Sequence, residues 1–188
     1  MSVVEKTIKV KPAISILSFA NCIVYDEQNS PVQMVSLWQK QTVIFIFLRH
    51  FGCLTCRSHA KQIWSERRKY EATGSKIIFI GNGTPGYMQH FKDDLNLQDA
   101  IIYTDPSLKS FYAAGFNRGF IAAFGPKAIA NGLKAYANGS RQAFGKDTGD
   151  LWQLGGVLVI KSSGEVAYHY ISQVMGDYAP AKDVTGAT

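Results

Sequence analysis

The chain has 188 residues, of which 46% are hydrophobic and 18% charged, a composition typical of one globular domain rather than a disordered or fibrous protein. Its longest apolar run, residues 43–48, is far shorter than the ~20 residues that cross a bilayer, so we expect no membrane partner. The net charge of +6 would favour anionic partners, but the Lys and Arg residues are scattered apart from residues 67–69, so we expect no nucleic-acid binding.

The cysteine count and the N-terminus indicate the compartment. Three cysteines are too few, and odd in number, for a disulfide framework. The N-terminal segment MSVVEKTIKVKPAISILSFA lacks the order of basic start, continuous apolar stretch and small-residue cleavage site that marks a secretory signal. We therefore expect a cytoplasmic location, where a close pair of cysteines indicates catalysis or metal binding.

The first half of the chain alternates strand and helix patterns. The segment NCIVYDEQNSPVQMVSLW predicts two short strands around a polar turn at residues 26–31. QTVIFIFL is a continuous β-branched and aromatic run, typical of a central strand buried on both faces. From Cys53 the period becomes that of an amphipathic helix, which has Arg57 on its polar face and ends near Gly74.

Two further strand and helix pairs follow. KIIFIG predicts a strand, after which Thr84 and Pro85 predict the N-cap and first residue of a helix that reaches about Leu95. AIIYTD predicts another strand, followed by a helix that Asp105 caps and Gly115 ends. The order of these elements indicates parallel βαβ units.

The last third of the chain predicts a different arrangement. Residues 117–152 are rich in Gly, Ala, Asn and aromatic residues, which indicates an insertion, with one helix over residues 126–137. VLVIKSSGEVAYHY predicts a hairpin around SSG. The fold class is therefore α/β, a central mixed sheet flanked by helices, with one domain over residues 1–175 and a loose polar tail over residues 176–188.

The CxxC motif in FLRHFGCLTCRSHAKQIW is the main candidate site. Cys53 and Cys56 are spaced i and i+3 at a helix start, so they share one face at a separation that a disulfide can bridge. The positive end of the helix can lower a thiol pKa from ~8.5 into the range ~3.5 to 7.5, and Arg49, His50 and Arg57 would add to the positive field. Such a thiolate can attack a disulfide or a peroxide.

Two other interpretations of the pair are open. A structural zinc site would need further ligands, and although His50 and His59 flank the pair, the chain has no second CxxC and no HxxxH-like partner downstream. The cysteines could also be small core residues, which is the interpretation we prefer for Cys22. We expect no metal ion and no bound cofactor.

GNGTPG, residues 81–86, matches the dinucleotide-binding pattern GxGxxG between a strand and a helix, with Asp105 after the next strand. Pro85 removes one backbone donor from the turn, and too few βα units follow for a second mononucleotide half. We interpret the segment as a strand-to-helix connection.

Three stretches together resemble one family. FLRHFGCLTCR is similar to the strand-to-active-site segment of the CxxC-bearing, peroxiredoxin-like branch of the alkyl hydroperoxide reductase and thiol-specific antioxidant (AhpC/TSA) superfamily. VYDEQNSPVQMVSLW resembles the hairpin of that branch, and WQLGGVLVIKSSGEVAYHYIS resembles its Gly-Gly strand and final hairpin. The resemblance implies a thioredoxin-like fold with an N-terminal hairpin extension.

The resemblance also implies a thiol-dependent oxidoreductase that reduces peroxides or disulfides. One cysteine attacks and the other resolves; the peroxiredoxin pattern places Cys56 at the attacking position, whereas thioredoxins attack with the first cysteine. We predict Cys53 as the attacking thiol, because it is nearer the exposed helix start, with Arg49 and Arg57 as electrostatic helpers and Thr55 as a hydrogen-bond donor. A thioredoxin or glutathione system would restore the dithiol, and an oligomer is possible.

Two alternatives accompany this prediction. Some members of the same group resemble lipid-endoperoxide reductases, in which only the pocket would differ. In the other alternative the chain is a thioredoxin-fold binding module whose cysteines are redox-silent or sense oxidation without turnover.

Overall fold

The computed structural model describes residues 14–188, apart from the side chain of Ile121, and centres on one mixed seven-stranded sheet. The strand order is β2-β1-β5-β4-β3-β6-β7. The strands are β1 (Ile23–Tyr25), β2 (Pro31–Gln33), β3 (Val43–Phe47), β4 (Lys76–Gly81), β5 (Ile101–Thr104), β6 (Gly156–Ile160) and β7 (Val166–Ile171).

Helices cover both faces of this sheet. They are α1 (Ile16–Ala20), α2 (Leu54–Ser65), α3 (Arg67–Glu71), α4 (Tyr87–Leu95), α5 (Lys109–Ala113), α6 (Phe120–Phe124), α7 (Pro126–Ala137) and α8 (Ala181–Thr185), with short 3₁₀ helices at Met34–Leu37 and Lys146–Thr148. Within residues 14–188, no helix has the length and apolar character that a bilayer crossing needs.

The sheet confirms the predicted α/β class. β3 lies in the middle, parallel to β4 and antiparallel to β6, and its five residues are all buried. β1 and β2 form the expected N-terminal hairpin, and β6 and β7 form the terminal one. A Cβ on Gly155 would lie 1.8 Å from the carbonyl oxygen of Phe47, so glycine there lets the chain entering β6 approach the end of β3.

Two core layers lie on opposite faces of the sheet. One joins Ala60 of α2, Tyr70 of α3 and Phe91 of α4 to the strands, and it includes Cys53 and Cys56. The other joins α1 and α5 to the same strands through large aromatic side chains, and it includes Cys22. The cysteine pair and Cys22 therefore lie on different faces.

The helix predicted from Cys53 to Gly74 is interrupted. α2 ends at Ser65, and Glu66 has φ −101° and ψ 6°, outside the helical range, before α3 begins. The assignment of Arg57 to the polar face is wrong, because its side chain is buried and pairs with Asp94 of α4.

The later helices begin after the residues predicted to cap them. α4 begins at Tyr87, because Thr84, Pro85 and Gly86 form a turn before it. α5 begins at Lys109, four residues after Asp105, whose carboxylate accepts backbone bonds from Ser107 and Ser110. α7 has the predicted bounds, whereas α6 was not predicted.

Residues 176–188, predicted as a loose tail, pack against the molecule instead. Val184 of α8 is buried in the core layer that holds Cys53 and Cys56. A single domain over residues 1–175 is still our proposal, and its first thirteen residues lie outside the described part of the chain.

Candidate active site

The paired cysteines lie where β3 passes into α2. Cys53 is the N-cap of α2, and its carbonyl oxygen accepts the backbone N–H of Arg57 at 2.9 Å. Cys56 lies in the first turn of the same helix. Their exposed fractions are 0% and 5%, so the helix start is buried, and the expectation that Cys53 is exposed is wrong.

Arg49 contacts both sulfurs. Its backbone N–H donates to Cys56 Sγ at 3.3 Å, and its Nη1 donates to Cys53 Sγ at 3.5 Å. Thr55 Oγ1 lies 3.3 Å from the sulfur of Cys53, and Cys56 lies in the first turn of the helix that Cys53 caps. The predicted residues Arg49, Thr55, Cys53 and Cys56 therefore form one connected group.

The surroundings separate the acidities of the two thiols. The hydrogen bond from Cys56 lowers the pKa of Cys53 well below its ordinary value; burial opposes this, and the charges of His50 and Arg49 and the Thr55 hydroxyl support it. Burial, together with the charge on Cys53, raises the pKa of Cys56 well above its ordinary value. At neutral pH the arrangement therefore favours a thiolate at Cys53 and a thiol at Cys56.

His50 supplies a positive charge to Cys53 only when its imidazole is protonated. Its side chain is buried, and burial lowers its pKa to about 4. The imidazole is therefore neutral at neutral pH, which leaves the guanidinium of Arg49 as the cation in contact with Cys53.

The Arg49 side chain is held on several sides. Nη1 also donates to Met175 Sδ at 3.0 Å, and Nη2 donates to the carbonyl oxygen of Leu151. The guanidinium lies 5.2 Å from the ring centroid of Phe124, and Asn82 Nδ2 donates to the Arg49 carbonyl at 2.7 Å. Arg49 is 4% exposed, so these contacts fix a buried cation beside the sulfurs.

Arg57 points toward α4. Its Nη2 lies 2.8 Å from Asp94 Oδ2, and its guanidinium lies 5.9 Å from the ring centroid of Phe91. The carboxylate neutralises its charge, so Arg57 mainly ties α2 to α4.

Two cavities within residues 14–188 have Arg49 in their walls. A small one of about 20 Å³ includes Cys56, His59 and Tyr178 in its wall. A larger one of about 540 Å³, which we call the apolar cavity, lies beside Arg49. Its wall includes Arg49, His50, Leu54, Phe124, Phe144, Leu151 and Met175. Cys53 is fully buried and lies in the wall of neither cavity, whereas its neighbours Arg49 and Leu54 line the apolar cavity.

A C-terminal strap, residues 174–179, lines the small cavity together with Cys56. The backbone N–H of Met175 donates to the Ala122 carbonyl at 2.9 Å, and Asn131 Nδ2 donates to the Met175 carbonyl at 2.8 Å. The Tyr178 ring stacks on His59 with centroids 3.7 Å apart. The strap therefore joins the wall of the small cavity to α6 and α7.

Sequence reasoning missed Met175 and Tyr178. Burial, with the neighbouring Cys56 and Cys53 charges, raises the pKa of Tyr178 well above its ordinary value, so its hydroxyl keeps its proton. Both residues reach the site from about 120 positions along the chain, and no local pattern in the sequence links them to Cys53.

The segment GNGTPG has a packing role. A Cβ on Gly81 would lie 2.3 Å from the Phe51 ring, and one on Gly83 would lie 2.5 Å from the Asp147 carbonyl oxygen. These glycines let Phe51 and residues 147–148 approach the end of β4.

Among residues 14–188, no group of three or more His, Cys, Asp or Glu side chains is placed to hold a metal ion. Cys22 is buried in the opposite core layer, and its thiol donates to the Ser18 carbonyl at 3.3 Å, in line with the core role preferred for it.

Comparison with known proteins identifies relatives of this chain. A family model described as "AhpC/TSA antioxidant enzyme" matches residues 62–174, a range that begins after the cysteine pair. Prostamide/prostaglandin F synthase of Xenopus laevis is 33% identical over 159 residues, which cover 81% of this chain and 77% of that protein. The chloroplastic thioredoxin-like protein AAED1 of Arabidopsis thaliana is 29% identical over 171 residues, 87% of this chain and 68% of that protein.

Solved structures share the fold at low identity. Peroxidoxin BcpB of Mycobacterium tuberculosis aligns with TM-score 0.63 and 13% identity, covering 88% of this chain and 90% of that one. Reduced Prx3 of Vibrio vulnificus, solved in complex with hydrogen peroxide, aligns with TM-score 0.60 and 13% identity, covering 89% and 93%.

The fold and the paired thiols define a peroxiredoxin-like, thiol-dependent oxidoreductase with a thioredoxin-like fold. The chain belongs to the AhpC/TSA antioxidant enzyme family.

Proposed function

We propose that Cys53 and Cys56 are the redox couple of this oxidoreductase, with Cys53 as the attacking thiolate and Cys56 as the resolving thiol. The observation that carries the proposal is that Arg49 contacts both sulfurs, with its backbone N–H on Cys56 and its guanidinium on Cys53. A cation and a thiol donor both favour the ionised form of Cys53, which is the nucleophilic form.

In the proposed reaction the Cys53 thiolate attacks one oxygen of a peroxide, ROOH. The O–O bond breaks, the alcohol ROH leaves after taking a proton, and Cys53 is oxidised to a sulfenic acid. The Cys56 thiol then attacks the sulfenic sulfur, which forms the disulfide and releases water. Two thiols of a reducing partner restore the dithiol and become a disulfide themselves.

The neighbouring side chains have separate parts in this proposal. Arg49 stabilises the thiolate and orients the peroxide, and Thr55 donates a hydrogen bond to the Cys53 sulfur. Arg57 acts through the position of α2, because Asp94 neutralises its charge. Cys53 is fully buried, so a peroxide reaches it from the apolar cavity only after Arg49 or Leu54 moves.

The reducing partner follows from the chemistry of the couple. We propose a thioredoxin or glutathione system in the cytoplasm, where thiols are kept reduced, and all three cysteines are free in this structure. The name of the Arabidopsis relative places that protein in the chloroplast, so the compartment of this chain needs its own test, by fractionation of cells that express it.

Single-cysteine variants test the couple. Reduced protein is mixed with hydrogen peroxide or an organic hydroperoxide and a recycling thiol, and peroxide consumption is followed. We expect Cys53→Ser to abolish peroxide consumption. Cys56→Ser should consume about one peroxide per protein rapidly, since Cys53 can still be oxidised, and further turnover should then be slow because no Cys56 thiol resolves the sulfenic acid. Cys22→Ser is the matched control, because Cys22 lies on the opposite face, and it should turn over like the wild type.

Two results would decide against the couple. Turnover that survives both Cys53→Ser and Cys56→Ser would assign the chemistry elsewhere. Absence of any reaction with peroxides or disulfides, with ordinary thiol titration, would favour a redox-silent binding module.

A second candidate function, reduction of lipid endoperoxides, is favoured by the apolar cavity. Leu54, Phe124 and Leu151 line a space of about 540 Å³ beside Arg49, which is far larger than hydrogen peroxide needs. The Xenopus relative is named as a synthase of prostamide and prostaglandin F. Competition between hydrogen peroxide and a lipid endoperoxide would separate the two candidates, and Phe124→Asp should weaken the endoperoxide reaction more if this second function is correct.

A further inference from the structure

An exposed apolar cluster within residues 117–152 adjoins the apolar cavity. We call it the apolar patch, and its members are Phe120, Phe124, Phe144, Leu151 and Trp152. Phe120 is 63% exposed and Phe144 is 87% exposed, unusual values for phenylalanine. Exposed aromatic side chains clustered on one surface indicate a binding surface.

The members of the patch are in contact with one another or with the cavity. The ring of Trp152 lies 5.5 Å from those of both Phe120 and Phe124, centroid to centroid. Phe124, Phe144 and Leu151 also line the apolar cavity. The patch therefore continues into the space beside Arg49.

The segment that carries the patch is basic. Residues 117–152 contain five Lys or Arg residues and two Asp residues, a net charge of +3. Lys127 and Lys134 are exposed on α7, which contacts α6, and Lys146 lies in the cavity wall. Exposed aromatic side chains on a basic segment match a membrane surface with anionic headgroups, where aromatic rings enter the interface and Lys or Arg side chains are attracted to the headgroups.

We propose that the apolar patch docks this protein on the surface of a membrane that contains anionic lipids. A second copy of the chain is a poorer occupant, because a twofold interface places the patch against itself and brings like charges together. A contact at the membrane surface needs no spanning segment. The proposal therefore differs from the sequence-based expectation of no membrane partner, which considered spanning segments alone.

Docking would place the mouth of the apolar cavity against the lipid. A peroxidised acyl chain then has a path from the membrane into the space beside Arg49. This consequence rests on the proposed function, whereas the docking itself does not.

Vesicle binding tests the proposal with the intact protein. We expect wild-type protein to sediment with vesicles of phosphatidylcholine and phosphatidylglycerol, less with phosphatidylcholine alone, and less as salt rises. Phe120→Glu and Lys127→Glu should each weaken binding, Phe120→Glu by about tenfold, because a charge replaces an inserted ring. Leu17→Glu and Lys40→Glu are the matched controls. Both positions are exposed, Leu17 in α1 and Lys40 just before β3, near the core layer that contains Cys22, and both variants should bind like the wild type.

A fluorescence readout reports on the patch itself. Trp152 is 38% exposed, so wild-type emission should shift to shorter wavelength with anionic vesicles, and Trp152→Phe should remove the shift. Absence of wild-type binding, or equal losses in Phe120→Glu and Leu17→Glu, would overturn the proposal. So would a stable dimer in solution that Phe120→Glu dissociates, because a second copy would then cover the patch.

Peroxide turnover without vesicles separates this proposal from the proposed function. Phe120 lies outside the cavity wall, so Phe120→Glu should reduce hydrogen peroxide at the wild-type rate. If Phe120→Glu loses vesicle binding but keeps peroxide turnover, the result supports docking. If the wild-type protein binds vesicles but fails to reduce peroxides, docking is still supported, and only the path for peroxidised acyl chains is removed.

Discussion

At the scale of single residues, Arg49 connects the two sulfurs. Its backbone N–H reaches Cys56 and its guanidinium reaches Cys53, while Met175 and Leu151 hold the guanidinium in place. A buried cation in contact with a sulfur lowers the free energy of the thiolate relative to the thiol. Because the contacts are made by a planar group with several donors, lysine cannot reproduce them.

We predict that Arg49→Lys raises the pKa of Cys53 by about one unit, which corresponds to about 1.4 kcal/mol. The thiolate absorbance of protein in which Cys22 and Cys56 are replaced by Ala, titrated with and without Arg49→Lys, measures the change. Arg118→Lys is the control, since Arg118 pairs with Asp150 at the surface. If Arg49→Lys leaves the thiolate titration unchanged, Arg49 does not lower the pKa of Cys53.

The hydrogen bond from Cys56 predicts the pH dependence of the reaction. Since the pKa of Cys53 is lowered, its thiolate persists as pH falls from the ordinary thiol value of 9.0, and the rate of sulfenic acid formation should stay level until the lowered pKa is reached. Cys56→Ala removes the donor, so the pKa of Cys53 rises and the rate should begin to fall at higher pH. Stopped-flow rates of the first oxidation step would show this, and coincident profiles would contradict it.

At the scale of elements, the strap closes the site over Cys56. Gly176 has φ +77°, and a Cβ there would lie 2.7 Å from Asn131 Cβ of α7. Tyr170 Oη donates to Asp177 Oδ1 at 2.6 Å, which ties the strap to β7. The strap is therefore held by contacts that a single added methyl group would disturb.

We predict that Gly176→Ala displaces the strap and speeds alkylation of Cys56 by iodoacetamide several-fold, because both the backbone strain and the contact with Asn131 oppose the native path. Gly86→Ala is the matched control, with negative φ and open space around the added Cβ. Peptide mass spectrometry gives the alkylation rate. Equal rates in the two variants would mean that the strap does not limit access to Cys56.

Local patterns predicted some elements well and others poorly. β3 was predictable because five consecutive apolar residues are buried on both faces, and α7 because Pro126 marks its first turn. The end of α2 at Ser65 was not, since Glu66 leaves the helical range within a stretch whose apolar period continues to Tyr70. The burial of Arg57 depends on Asp94 of α4, a tertiary contact that helical periodicity does not encode.

At the scale of the whole molecule, the site depends on segments distant in sequence. The CxxC spacing and the nearby Arg49 were visible in one stretch of the chain, and the structure brings them together. Met175 and the Leu151 carbonyl arrive from 126 and 102 residues away, so only the folded sheet shows that they hold Arg49.

Acid should destabilise the molecule through two buried histidines. Burial lowers the pKa of His50 and of His59 to about 4, whereas the ordinary value is 6.5. Between these values the unfolded chain binds more protons, so stability falls as pH falls, by about 3 kcal/mol for each histidine over the full range. Urea unfolding at about pH 7 and about pH 5 should show a smaller loss for His59→Gln than for wild type; equal losses would contradict this prediction.

Trapping the sulfenic acid tests most directly whether Cys53 is the sulfur that attacks the peroxide, because the acid forms on the attacking cysteine. Cys56→Ser and Cys53→Ser proteins are each treated with one equivalent of hydroperoxide and dimedone, and the labelled peptide is identified by mass spectrometry. We predict rapid labelling of Cys53 in the Cys56→Ser protein and slow or absent labelling of Cys56 in the Cys53→Ser protein. Rapid labelling of Cys56 in the Cys53→Ser protein, with Cys53 unlabelled in its counterpart, would contradict it.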